Sequence, residues 1–303
     1  MREPAVVRML PDGRRLHLHD GPMDLIVEGF GAAECVRAAY AAASTRFVGV
    51  LDELCSELAL LRRQARDRGM VPQGVVARRM WDAVAPFAET TFITPMAAVA
   101  GAVAEEILGV MISAAPLARA YVNDGGDIAL HLASGEEFAV ALIDRPEQAS
   151  LFGKAVIRAT DPVRGIATSG WRGRSFSLGI ADAVTILAAT AAGADAAATI
   201  VANAVDLPGH PAIGRAAARE IQPDSDLGGI LVTRAVGPLR QSEIAEAITR
   251  GLAKANELAA RGLICAAALH LQGETVSTGV SEVSALRLPS SWDFPLERSH
   301  LHA

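Results

Sequence analysis

The sequence predicts an α+β fold, with an antiparallel β-sheet packed by helices in a single domain over residues 1–288. Three observations carry that expectation. Short runs with apolar alternation crowd the middle of the chain, and their connections are short enough to favour antiparallel pairing. Segments with apolar residues at helical spacing lie on either side. No linker, low-complexity block or clear repeat divides the 303 residues, and at 51% hydrophobic and 20% charged there is material for a substantial core. Residues 289–303 read as a C-terminal tail.

Residues 5–28 alternate around Pro11-Asp12-Gly13, the pattern of a β-hairpin. Residues 32–68 repeat Leu, Val and Ala at helical spacing, with Gly49 placed to bend or break the run. A helix over 73–83 ends at Pro86. Thr94-Pro95 opens the next, running to about residue 108, with Thr94 as cap and Pro95 at the first helical position. That helix is nearly all small residues, from Ala97 through Gly101 to Ala104, which predicts a close-packed neighbour. Strands follow at 118–122, 128–132, 137–143, 154–159, 165–169, 174–178 and 183–188. A helix over 193–205, a Pro- and Gly-rich loop over 206–214, a strand over 230–236, a helix over 241–261 and a strand pair within 263–277 complete the core.

Bulk properties exclude some partners. A net charge of -6 gives no basic field, so nucleic acid is not expected. The local cluster Arg62, Arg63, Arg66 and Arg68 reads as a solvated helix end. Cys35, Cys55 and Cys265 lack ligand spacing, and the apolar helical setting of Cys35 and Cys55 predicts buried reduced thiols. The first twenty residues have no apolar stretch of signal-peptide type, and long apolar runs such as 181–205 are broken by Asp182, Gly193, Asp195 and Asn203. A cytoplasmic protein without a membrane span is therefore expected, with alanine-rich surfaces suited to a homodimer.

Three segments can carry chemistry. Asn123-Asp124-Gly125-Gly126-Asp127 is first a turn signal, Asn and Gly supplying positive φ; its bare glycine backbone also lets a ligand approach amides, with Asp127 ready to accept from it. Thr168-Ser169-Gly170 ends a strand with two hydroxyls and a glycine, either ordinary strand-end chemistry or a ligand contact. Asp195 and Thr199, four apart, share a helix face. They suit a helix dipole and a back-bonded hydroxyl, or two oxygen ligands for Mg²⁺. Asp182 is a weaker candidate at a strand start. His17 and His19 share a strand face without an acid at ligand spacing, His300 and His302 lie in the tail, and His210 sits in a loop where it can reach a substrate.

In this order and spacing the three segments resemble the ApbE-like superfamily, best known for FAD:protein FMN transferases. Thr94-Pro95-Met96-Ala97-Ala98-Val99-Ala100-Gly101 and Ser177-Leu178-Gly179-Ile180-Ala181-Asp182-Ala183 place the likeness in an uncharacterised branch. The resemblance implies that Asn123, Gly125, Gly126, Asp127, Thr168, Ser169 and Gly170 line a flavin (FAD or FMN) or its phosphates, and that Asp195 and Thr199 belong to a Mg²⁺ site. Two departures stand out. The His-x-x-Asp-Pro-x-Thr-Gly segment of the transferases is missing, and their Lys-Gly-x-x-x-Asp helix is matched only by Ala100-Gly101 and Glu105. Those losses remove candidates for moving a proton or holding a phosphoryl group. The expectation is a flavin-nucleotide-binding protein without an assigned reaction. Its rivals are a Mg²⁺-dependent FMN transferase and a non-enzymatic module binding another small molecule or a partner protein.

Overall fold

The alternation of residues 5–28 builds a three-stranded meander rather than a single hairpin: β1 (Val6–Met9), β2 (Leu16–Asp20) and β3 (Met23–Phe30). A computed structural model describes residues 4–66, 71–143, 151–279 and 286–287; the predicted tail lies outside them. Next come α1 (Ala33–Phe47), α2 (Val50–Ser56), α3 (Leu58–Leu61) and α4 (Val75–Val84). Gly49 does interrupt the first long helical run, standing at the N-cap of α2. A 3-10 turn, Pro95–Ala98, leads into α5 (Val99–Ala114). Thr94 does not cap it; its hydroxyl donates instead to the Asp226 carboxylate, and Thr94 is buried.

The remaining strands are β4 (Arg119–Asp124), β5 (Asp127–Leu132), β6 (Glu137–Ile143), β7 (Leu151–Arg158), β8 (Gly165–Ser169) and β9 (Ala183–Ala188). After α6 (Ala191–Ala204) come β10 (Ile213–Ala217), α7 (Ala218–Ile221), β11 (Leu231–Val236), α8 (Gln241–Ala260), β12 (Ala266–Leu271), β13 (Glu274–Thr278) and β14 (Leu286–Arg287). Residues 174–178 form a loop, not the predicted strand, while β10 arises where only loop was expected. β10 carries a register shift at Gly214, which interrupts the alternation a strand reading relies on.

One nine-stranded sheet, ordered β1-β2-β3-β4-β5-β8-β9-β12-β13, organises the molecule, and every neighbouring pair in it is antiparallel. One face is covered by α1, α5, α6 and α8, burying Leu25, Val122, Ala129, Ala167, Val184 and Leu269. Behind the other face, Leu130, Ile166, Leu187 and Ala268 pack with Ala155 and Ile157 of the β6–β7 hairpin. Successive residues alternate between these two cores, the period-two pattern of a sheet covered on both sides.

Small residues bring α5 and α6 into backbone contact. A Cβ on Gly101 of α5 would fall on the Ala191 carbonyl, and one on Gly165 of β8 would fall on the Thr190 carbonyl. The first turn of α6 is thus wedged between helix and sheet, which fulfils the expectation of a close neighbour. The amides exposed there are satisfied by acids and hydroxyls. Thr190 Oγ1 accepts from Gly193 N (3.1 Å), Glu105 Oε1 from Ala192 N (2.9 Å), and Asp195 Oδ2 from Gly101 N in the first turn of α5 (3.1 Å). Each helix therefore supplies an acid to the other's N-terminus, and such a cap is worth about 1 kcal/mol.

Several expectations need correction. Cys55 is exposed and Cys35 only partly buried; both thiols are free. Arg62 pairs with Asp224 (2.9 Å) and Arg66 donates to the carbonyls of Ala88 and Glu89, so this end of the helix is tied down; Arg68 lies outside the described residues. One run, Pro95–Ala114, is long and apolar enough by length and composition alone to cross a bilayer, with mean hydropathy 1.6. Here it lies against α1, α6 and the sheet.

Candidate functional site

The Asn-Asp-Gly-Gly-Asp segment joins β4 to β5 as a two-residue turn, with Asp124 paired to Asp127 across it. Gly125 (φ 64°) and Gly126 (φ 114°) both require positive φ, which is what tight hairpins demand. Asn123 Oδ1 accepts from Gly126 N (2.8 Å), so this side chain is spent on shaping the turn. Cross-strand partners point to one face, and the neighbouring pair Val122 and Ala129 is buried against the helices. Asp124 and Asp127 therefore face α6 together.

The second segment meets the first directly, because β5 and β8 are sheet neighbours. The Thr168 amide donates to Asp127 Oδ1 (3.3 Å). Its hydroxyl, however, pairs with that of Thr185 (2.9 Å) on the hairpin side of the sheet, while Ser169 shares the helix side with Ala167. Of the two predicted hydroxyls, only that of Ser169 faces the acids. Gly170 is buried, and a Cβ there would lie 2.5 Å from the Asp182 carbonyl.

Asp195 and Thr199 come to the same place from α6. Burial pushes the carboxyl of Asp195 well above the usual carboxylate range, with Asp127 and then Asp124 adding like-charge repulsion, although the Gly101 amide opposes it. Asp127 is raised to about 7, by burial first and then by Asp124. Asp124 is likewise raised to about 7, by burial, against the Asp24 amide and Arg174. Crowded, buried acids resist ionising together. Thr199 makes no hydrogen bond among the described residues, so it has not bonded back to its own helix.

Mg²⁺ keeps several waters and takes one or two carboxylates with ligand phosphates. The Asp195 carboxyl, the open Thr199 hydroxyl and the neighbouring acids Asp124 and Asp127 fit such an ion. Among the described residues, no three His, Cys, Asp or Glu side chains are grouped to hold a metal unaided. Any cation here would depend on its ligand for part of its shell.

Three further residues of the site escaped the sequence reading. Asp124 carries no signal in the sequence beyond its place beside the two turn glycines. Trp171 and Arg174 follow Ser169-Gly170 in a loop, and Arg174 lays its guanidinium on the Cα of Gly125, where any Cβ would collide with it. The signal was available as two arginines directly after the Ser-Gly strand end. Asp182 proves to be the post holding that loop: its Oδ1 accepts from Trp171 Nε1 (3.1 Å) and Arg172 Nε (2.6 Å), and its Oδ2 from Gln272 N (2.7 Å). His210 is not at the site. Its Nδ1 accepts from Ala212 N and its Nε2 lies 3.3 Å from Glu243, at the start of α8. His17 and His19 do meet an acid, Asp24 of β3, but on the outer strands of the sheet. Two open depressions of about 670 Å³ lie elsewhere, one against α1 and α5, the other around Trp81 and Arg66. Their shallow walls lack the convergent polar groups found beneath the glycine turn.

A family model described as "AbpE bacteria" matches residues 7–277. Curated relatives include a UPF0280 protein of Methanococcoides burtonii, 36% identical over 133 residues (41% of this chain, 51% of the relative), and one of Methanopyrus kandleri, 35% identical over 129 residues (42% and 48%). The chain spans about half the length of these relatives. Among solved structures, the ApbE protein of Thermotoga maritima aligns over 59% of this chain and 68% of its own at 15% identity and a TM-score of 0.30. A mutant of the flavin transferase ApbE from Vibrio cholerae aligns over 90% and 96% at 11% identity and a TM-score of 0.36. Matched by the family model over nearly its whole described length, this chain belongs to the AbpE bacteria family.

Proposed function

We propose that this protein binds a flavin nucleotide, FAD or FMN, with Mg²⁺ at the edge where the glycine turn, the end of β8 and α6 converge. The observation that carries the reading is that convergence. Segments some 70 residues apart in sequence bring glycine backbone, a serine hydroxyl, an exposed arginine and three crowded carboxyls to one place. Membership of the family supports the flavin, since a solved ApbE neighbour is itself described as a flavin transferase. In this reading Gly125, Gly126, Ser169 and Gly170 approach the nucleotide, Asp127 accepts from it, and Asp195 and Thr199 hold the cation. Asn123 and Thr168 act through the backbone they shape. Bound Mg²⁺ would supply charge neutralisation between the carboxyls and the phosphates.

The test is a titration of the protein with FAD and FMN, with Mg²⁺ and with EDTA, followed by flavin fluorescence and thermal unfolding. Saturable binding that EDTA weakens at least tenfold, and that Asp195→Asn renders insensitive to Mg²⁺, is the expected result. Absence of binding in every condition would overturn the flavin reading. Binding indifferent to Mg²⁺ would remove the cation from it.

A further inference from the structure

We propose that Arg174 is the residue that restricts this site to phosphorylated ligands, held ready by the loop that Asp182 anchors. The proposal rests on the flavin-nucleotide reading and adds a selectivity to it.

The loop from Gly170 to Asp182 has no regular secondary structure, yet its first half is fixed at several points. Trp171 N donates to Ala181 O (3.0 Å) and Gly173 N to Gly170 O (3.1 Å), closing it at the base. The buried Asp182 carboxylate then collects Trp171 Nε1, Arg172 Nε and the amide of Gln272. Gln272 is a non-glycine residue at φ 45°, a conformation uncommon outside glycine, and its side chain also bridges Leu239 N and Gly237 O. Arg172 stacks on Trp171 at 4.4 Å, so its position and its Nε are committed to the loop.

Arg174 is different. It is exposed, and it makes no hydrogen bond or ion pair among the described residues. Its guanidinium rests on Gly125, beside the paired positive-φ glycines of the hairpin turn. Asp124 and Asp127 feel its charge, but it lies beyond ion-pair distance of both. An arginine kept near acids without pairing to them retains its whole fork for another anion. A planar guanidinium binds two phosphate oxygens at once, which a lysine ammonium does not reproduce.

A diphosphate or monophosphate brings further negative charge beside Asp124, Asp127 and Asp195, which Mg²⁺ and Arg174 would offset. A neutral flavin without phosphate meets no such barrier and gains nothing from Arg174.

The experiment compares FMN, riboflavin and inorganic pyrophosphate, each with Mg²⁺, on the wild type, Arg174→Gln and Arg174→Lys, with thermal unfolding as the folding control. A charge-assisted hydrogen bond predicts a loss of about tenfold to a hundredfold in FMN affinity for Arg174→Gln. Riboflavin affinity should change less than twofold, and Arg174→Lys should recover only part of the loss. Equal losses for FMN and riboflavin, or no loss for FMN, would overturn the proposal. If the wild type binds pyrophosphate in an Arg174-dependent manner but no flavin, the phosphate selectivity stands and the flavin reading falls. If it binds none of the three, both fall.

Discussion

The carboxyl of Asp124 ties the site to the stability of the whole fold. It is 4% exposed, and folding raises its proton affinity from the ordinary 3.8 to about 7, chiefly through burial. A carboxyl raised in this way is held more tightly by the native state. Its contribution is therefore complete below the unfolded value and is lost as pH climbs toward 7. At 1.36 kcal/mol for each tenfold change in proton affinity the whole effect is about 4 kcal/mol, of which about 2.5 kcal/mol falls between pH 5 and 8. Asp124→Asn keeps an oxygen for the Asp24 amide and removes the titration. Urea unfolding of both proteins in EDTA, at intervals from pH 5 to 8, reads the term, because groups remote from Asp124 cancel in the difference and the change is confined to Asp124 and the acids it repels, Asp127 and Asp195. The wild type should lose stability relative to Asp124→Asn by about 2.5 kcal/mol over that range. A difference that stays flat, or that grows in favour of the wild type with rising pH, would refute the assignment of a buried, charge-poor acid.

Other outcomes follow from the same contacts. Asp195 has two tasks, an amide cap for α5 and a charge at the site, and two substitutions separate them. Asp195→Asn should unfold no more readily than the wild type at pH 8 without Mg²⁺, whereas Asp195→Ala should be about 1 kcal/mol less stable than Asp195→Asn; identical denaturation curves for the two variants would show that the cap contributes nothing. Gly101→Ala places a methyl on the Ala191 carbonyl and should cost about 1–3 kcal/mol in chemical denaturation, since neither backbone can retreat; a neutral result would mean that α5 and α6 are not locked as described. Mg²⁺ should raise the melting temperature of the wild type more at pH 8 than at pH 5, because protonated carboxyls release the ion; the reverse order would place its binding elsewhere.

Much of the fold was legible because both cores impose simple periods. Strands such as Glu137–Ile143, Gly165–Ser169 and Ala183–Ala188 match their expected bounds, and α8 differs by a single residue. Misreadings arose where tertiary contacts override local pattern. Thr94 has the chemistry of a cap, but a buried partner, Asp226, claims its hydroxyl. Residues 174–178 have a strand's composition, yet the chain there is held as a loop by distant partners that no local window reveals, Leu178 N donating to Asn203 Oδ1 (2.8 Å) and Thr233 N to the Ser177 carbonyl (2.8 Å).

The candidate site was legible as three motifs, and spacing alone could not say which atoms face inward. Thr168 and Ser169 look equivalent in sequence, but sheet alternation sends one hydroxyl to Thr185 and leaves the other among the acids. Arg174 is marked in the sequence only as one of two arginines after the Ser-Gly strand end; its importance lies in resting on Gly125, a contact made across 49 residues of chain.

The most direct test of the account is a crystal structure of the protein with FMN and Mg²⁺. The account expects phosphate density beside Gly125, Ser169 and Arg174, with a cation on Asp195 and Thr199. Flavin density in the depression against α1 and α5, or a saturated crystal with no flavin at the glycine turn, would contradict it.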